Sequence, residues 1–219
     1  MQILPFYVMC DESGSMDANI GDLNDALAEL HQEISTNPTV SDKTRFALIG
    51  FSTEAHELQQ LVELSDIEEL PALAASGLTS FGKAFETLHR AIERDVPALK
   101  AEGHDVFRPV VFFLSDGIPT DTDWERPYQE LLASKFRPHI IAFGIGVAQR
   151  AVIAQVATFK AFMGTEDGVS AAVALKEFAA SLTRSIVRSV SGATADGVGM
   201  SLLVDDHVPG FTSVSLDKL

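Results

Sequence analysis

Short, wholly apolar runs alternating with helix-period stretches are what most constrain this chain. Residues 3–10 read ILPFYVMC, 109–114 read PVVFFL and 139–145 read HIIAFGI. Each run is continuous rather than alternating, as strands buried on both faces are. Residues 45–52 (RFALIGFS) read as another strand, 56–64 as its hairpin partner at a sheet edge, and 160–163 as a short last strand. Between them Leu23, Ala26, Leu27, Leu30 and Ile34 recur at helical spacing, with Asp17 or Asp22 as candidate caps. Phe81, Ala84, Phe85, Leu88 and Ile92 mark a long helix capped by Ser80, which Pro97 is expected to kink or end. Helices are also expected at 124–133 and 152–157, and a final one through Leu175, Phe178, Leu182 and Ile186 to about Val190. Strands alternating with helices predict an α/β fold. It would be a Rossmann-like, doubly wound, mostly parallel sheet with one antiparallel edge strand, joined by right-handed crossovers.

With 219 residues, 46% of them hydrophobic, the chain is long enough for one large domain. No Pro/Gly/Ser-rich stretch interrupts the first 190 residues, so residues 1–190 are expected to form that domain. Residues 191–219 then read as a linker (SGATADGVG) and a tail whose apolar runs, 200–204 and 211–216, either dock or stay free. A net charge of −15 argues against nucleic acid and anionic membranes, which call for a basic face. The one cysteine, Cys10, sits in an apolar run and reads as a small buried hydrophobe. Residues 1–9 are too short for a signal peptide and lack a basic start, and no apolar run approaches ~20 residues. A cytoplasmic protein is expected.

Ligands of such a sheet bind at the carboxyl ends of its strands. The first strand ends in Asp11-Glu12-Ser13-Gly14-Ser15, the loop before the long helix reads Gly77-Leu78-Thr79-Ser80, and the PVVFFL strand ends in Ser115-Asp116-Gly117. All three lie at one sheet edge and offer hydroxyl and carboxylate oxygens without His or Cys. That set suits Mg²⁺, with Mn²⁺ or Ca²⁺ as alternatives, and disfavours Zn²⁺. Gly14 and Gly117 permit the tight backbone such convergence demands. Each segment alone has a purely structural reading, as a helix cap or a turn after a strand.

Asp11-x-Ser13-x-Ser15, then Thr79, then Asp116 with Gly117, resembles the metal-ion-dependent adhesion site of von Willebrand factor A domains, over roughly residues 2–190. The segments LPFYVMCDESGSM and SDGIPTD further resemble bacterial A-domain proteins associated with tellurium resistance. The resemblance implies that Ser13, Ser15 and Thr79 supply hydroxyl oxygens and that Asp11 and Asp116 act directly or through water. It also implies one open position that takes a Glu or Asp carboxylate from a partner protein. Glu12 would need no ligand role. A metal-dependent, phosphatase-like hydrolase is the alternative, but no nucleophile or base beyond the metal carboxylates stands out. Ser13 replaces the second Asp of a dehalogenase-type phosphatase, and Gly50-Phe51-Ser52-Thr53-Glu54 breaks the Gly-x-Ser-x-Gly pattern. No pair of the six His residues has ligand spacing. Asp121 and Asp123 either ring the site and tune its selectivity or cap the helix near Trp124, the second being favoured. Asp205 or Asp206 is a candidate plug for the metal of this molecule or a neighbour.

Overall fold

The longest apolar run becomes the middle of a sheet. The computed structural model describes residues 1–164, 176–177, 180–181, 183–188, 204 and 206–214. Its elements run β1 (Gln2–Asp11), α1 (Ile20–Ser35), α2 (Pro38–Ser41), β2 (Thr44–Phe51), β3 (Ala55–Val62), α3 (Phe81–Ala101) and β4 (Asp105–Val106). They continue with β5 (Val110–Ser115), α4 (Glu125–Ala133), β6 (His139–Gly144), α5 (Arg150–Val156), β7 (Lys160–Gly164) and β8 (Phe211–Val214), with 3₁₀ turns at Gly14–Ala18 and Leu64–Asp66. Strand order is β3-β2-β1-β5-β6-β7-β8, and the two-residue β4 pairs with the start of β1. Pairing is parallel from β2 to β7. The expected antiparallel edge strand is β3 on β2, and a second, β8 on β7, closes the other edge.

Both faces of the sheet are covered, and strand alternation divides the core accordingly. Phe6, Val8 and Cys10 of β1 face one layer with Leu23, Ala26, Leu27, Leu30 and Ile34 of α1. Tyr7 and Met9 face the other layer, with Phe81, Phe85 and Leu88 of α3, Tyr128 of α4 and Ile153 of α5. Burying such a side chain stabilises by about 1.5–3 kcal/mol relative to exposure. A charge at either parity of β1 would therefore break one layer or the other. Residues 183–188 are helical and Ile186 is buried in the α1 layer. Leu175, Phe178 and Leu182, as well as the run 200–203 and the linker, lie outside the described residues.

Two expectations need revising, and one open question is answered. Pro97 neither ends nor divides α3, which continues to Ala101. A proline removes one amide donor, and here only the last turn follows it, held by the buried Val96 and Leu99. The residue before α1 is Asn19, not Asp17 or Asp22, and its side chain makes no cap bond. The tail run at 211 docks: Phe211 stacks edge-on against Phe143, with ring centroids 5.2 Å apart. Among the described residues, no helix is long and apolar enough to cross a membrane.

β1 has β2 on one side and β5 on the other, so strand order reverses there. In doubly wound sheets the crevice at that reversal, beyond the strands' carboxyl ends, is where ligands bind.

Candidate metal centre

Asp11 is the last residue of β1 and Asp116 the first after β5, so adjacent parallel strands deliver both carboxylates to one point. Asp11 accepts a hydrogen bond from the Ser13 amide on Oδ1 (2.8 Å) and from the Ser115 hydroxyl on Oδ2 (2.5 Å). Ser115 in turn accepts the Gly117 amide at 3.1 Å. Ser15 donates its hydroxyl to Asp116 Oδ1 at 2.7 Å. The Ser13 and Ser15 Oγ atoms lie 3.0 Å apart, a contact in which either hydroxyl can donate. Thr79 joins through Gly117. A β-carbon there would stand 3.1 Å from Thr79 Oγ1 and 3.7 Å from Asp11 Oδ2. All five expected residues therefore face one place, and Gly117 is needed for close approach rather than for an unusual φ.

The loops that carry them are stitched together. Gly77 adopts φ +74°, a conformation costly for any residue with a β-carbon. Its carbonyl accepts the Gly14 amide at 3.1 Å, and Thr53 Oγ1 accepts the Leu78 amide at 3.0 Å. The Thr79 carbonyl accepts both the Thr120 amide (2.8 Å) and its hydroxyl (3.0 Å). Asp121 caps α3, not the helix near Trp124. It accepts the Ser80 hydroxyl at 2.9 Å and the Phe81 and Gly82 amides at 3.1 and 2.7 Å. Glu12 has a tie of its own, accepting the Ala74 amide on Oε1 at 2.8 Å. Ser115, Asp121 and Thr53 were not singled out as supports from sequence. Only the Ser-Asp pair at a strand end gave a hint.

Without a cation the two carboxylates are poorly served. Burial raises the pKa of Asp11 above the usual carboxylate range, Ser115 and Ser13 partly offset this, and the charge of Asp116 adds to it. Burial likewise raises Asp116, against the hydroxyl of Ser15. Ser13 and Ser15 each retain at least one lone pair. Among the described residues, no group of three or more His, Cys, Asp or Glu side chains comes together. The donor set is thus hydroxyl plus carboxylate oxygen, which fits a hard divalent cation. Asp206 is no plug. It lies 2.6 Å from Lys160, the first residue of β7, at the opposite end of the strands from the site. Asp205 lies outside the described residues.

No curated protein matches the chain. Solved structures do. The pilus adhesin SpaC from Lactobacillus rhamnosus GG, in an open conformation, superposes with a TM-score of 0.64 at 14% identity, over 86% of this chain and 30% of its own. A von Willebrand factor type A structure from Catenulispora acidiphila gives 0.57 at 18%, over 84% and 42%. Proximal thread matrix protein 1 from the mussel byssus, with a zinc-occupied MIDAS motif, gives 0.56 at 19%, over 88% and 46%. The chain spans less than half the length of each, and at these identities the likeness is one of fold. The model of the von Willebrand factor type A domain matches residues 6–183, from within β1 to the final helix, and the chain belongs to that family.

Proposed function

We propose that this protein is a divalent-cation-dependent protein-binding module, non-enzymatic, in which Asp11, Ser13, Ser15, Thr79 and Asp116 hold the ion, Mg²⁺ by preference. The observation that carries the reading is the convergence of three hydroxyl side chains and two buried carboxylates at the switch point of the sheet. Asp11 and Asp116 are disfavoured as anions where they stand, and a cation relieves both. Ser13, Ser15 and Thr79 contribute oxygen without charge, so two carboxylates are all that offset the ion. A bound ion would supply a positive centre with a position open to a Glu or Asp carboxylate from another chain. Adhesin and matrix-protein relatives support a binding role over catalysis. We also infer a cytoplasmic setting, with which the free, buried thiol of Cys10 is compatible. Kinship with the tellurium-resistance group rests on the LPFYVMCDESGSM and SDGIPTD segments.

Calorimetric titration with Mg²⁺, Mn²⁺, Ca²⁺ and Zn²⁺ tests the site, zinc being included because the mussel protein holds it. Wild type should bind one equivalent and Asp116→Ala none. Relaxation of ¹³C-acetate by protein-bound Mn²⁺ then reads whether a carboxylate reaches the ion. An Asp116→Ala protein that binds as wild type does would refute the assignment. Turnover of a phosphomonoester that is lost in Asp116→Ala would favour a hydrolase instead.

A further inference from the structure

Three of the exposed large hydrophobic side chains gather at one edge of the sheet. Apart from Met1, those among the described residues are Leu78 (60% exposed), Ile118 (44%) and Val147 (73%). Leu78 immediately precedes Thr79, and Ile118 follows Gly117. Val147 follows Gly146, whose left-handed backbone (φ +56°) lies where a β-carbon would be 3.6 Å from that of Asp116. Three loops, the one leading into α3 and those that follow β5 and β6, thus each raise one aliphatic side chain beside the metal centre. Folding does not account for them, since turns of this kind are ordinarily filled by Asn, Asp, Ser or Gly. Single exposed aliphatics are unremarkable, but grouping around a polar site marks an interaction surface.

The charge pattern says what fits there. The three turns read GLTS (77–80), GIPT (117–120) and IGVA (145–148), with no charged residue, on a chain of net charge −15. A second acidic group on a partner would meet a repulsive protein and no cation. A basic group placed next to the docked carboxylate would meet no acid within these turns. The two acids that border the second turn, Asp116 and Asp121, are committed to Ser15 and to the start of α3. Resting on the metal-dependent reading above, we infer that the partner segment carries a single Glu or Asp flanked on both sides by aliphatic side chains. These pack on Leu78, Ile118 and Val147 while the carboxylate reaches the centre. Desolvation by this rim strengthens the polar contact at its middle, the arrangement by which hot spots exclude water.

The test uses capped synthetic peptides with a central Glu flanked by Leu, by Ser or by Lys, and a central Gln flanked by Leu. Each is titrated into the full chain with Mg²⁺ and with EDTA, observed by NMR so that millimolar affinities register. The triple variant Leu78→Ser, Ile118→Ser, Val147→Ser is the control. It alters exposed positions only, and its Mg²⁺ affinity and melting temperature should match wild type. The Leu-flanked Glu peptide should bind at least about tenfold more tightly than the Ser-flanked one, and the preference should disappear in the triple variant. Metal-dependent binding indifferent to the flanks would overturn this inference and leave the metal reading standing. Equal binding of the Leu-flanked Gln peptide in EDTA would overturn the carboxylate–metal reading, and with it the specificity inferred here. Binding of no peptide refutes the inference, as does a wild-type dimer in sedimentation that the triple variant abolishes, since the rim's occupant would then be a second copy.

Discussion

Replacing Asp11 by Asn should have opposite effects with and without a cation. Asp11 is fully buried, and its carboxylate is disfavoured first by that burial and further by Asp116. A carboxyl whose folded pKa is raised stabilises the fold most below the ordinary value of about 3.9, and that contribution is lost as pH rises through the folded pKa. Near pH 7.5 without a cation, ionised Asp11 is therefore a cost, which Asn removes at almost unchanged volume. The Asn carbonyl can keep the Ser13 amide, and its NH₂ can donate to Ser115 Oγ, which holds a spare lone pair after accepting from Gly117. In chelator, Asp11→Asn should thus melt at or above wild type. In Mg²⁺ at a hundredfold excess over Kd, wild type gains about 2.7 kcal/mol. At roughly 2–4 °C per kcal/mol for a chain of this size, that is a rise of about 5–11 °C, which the variant should lack. Near pH 5 the wild-type shift should shrink, because protons compete for both carboxylates. Circular-dichroism melts in Mg²⁺ and in EDTA at both pH values read all of this. An undiminished Mg²⁺ shift in the variant, or a melting point several degrees below wild type in EDTA, would refute the reasoning.

Ser115→Ala removes a donor to Asp11 and the acceptor of the Gly117 amide; titration should show Mg²⁺ affinity falling about 10–100-fold with no ligand removed. Gly117→Ala places a β-carbon 3.1 Å from Thr79 Oγ1, so Mg²⁺ binding should weaken while the melting temperature in EDTA changes little. Asp121→Ala strips three hydrogen bonds from the start of α3 and should cost about 1–2 kcal/mol, read as a lower urea midpoint with an unchanged slope.

The strands at β1, β5 and β6 were legible because burial on both faces leaves no alternation to disguise them. β4 was not, since Asp105–Val106 is two residues long and carries no apolar pattern. The run at 211 was visible as apolar, but its docking depends on β7 presenting an open edge, which nothing local to Phe211 encodes. Pro97 misled because propensity counts its missing amide without counting how little helix remains beyond it. At the site, Asp11, Ser13, Ser15 and Asp116 were visible at recognisable strand ends, whereas the choice of Thr79 beside the cap residue Ser80 came from the resemblance to the adhesion-site motif. Their supports could not. The bond from Ser115 to Asp11 joins residues 104 apart, and Asp121 reaches across about forty residues to α3 rather than to the helix beside it.

What fixes the site at ångström scale is a set of aromatic rings beneath it. Phe51 ends β2, Phe81 begins α3 and Phe113 lies in β5, so each belongs to a different element bordering the crevice. Their centroids lie 5.9 Å apart for Phe51–Phe81, 5.3 Å for Phe51–Phe113 and 5.0 Å for Phe81–Phe113, and Trp124 closes on Phe81 at 5.6 Å. All three phenylalanines are buried, and such pairs add about 0.5–1.5 kcal/mol each beyond their area. Just above this floor, the Ser52 carbonyl holds the Ser80 amide at 2.8 Å, which sets Thr79, while β5 carries Ser115 and Asp116. Thr79 and Asp116 are thereby positioned by one rigid cluster although they sit on separate segments. Sites supported this way keep their geometry before a ligand arrives.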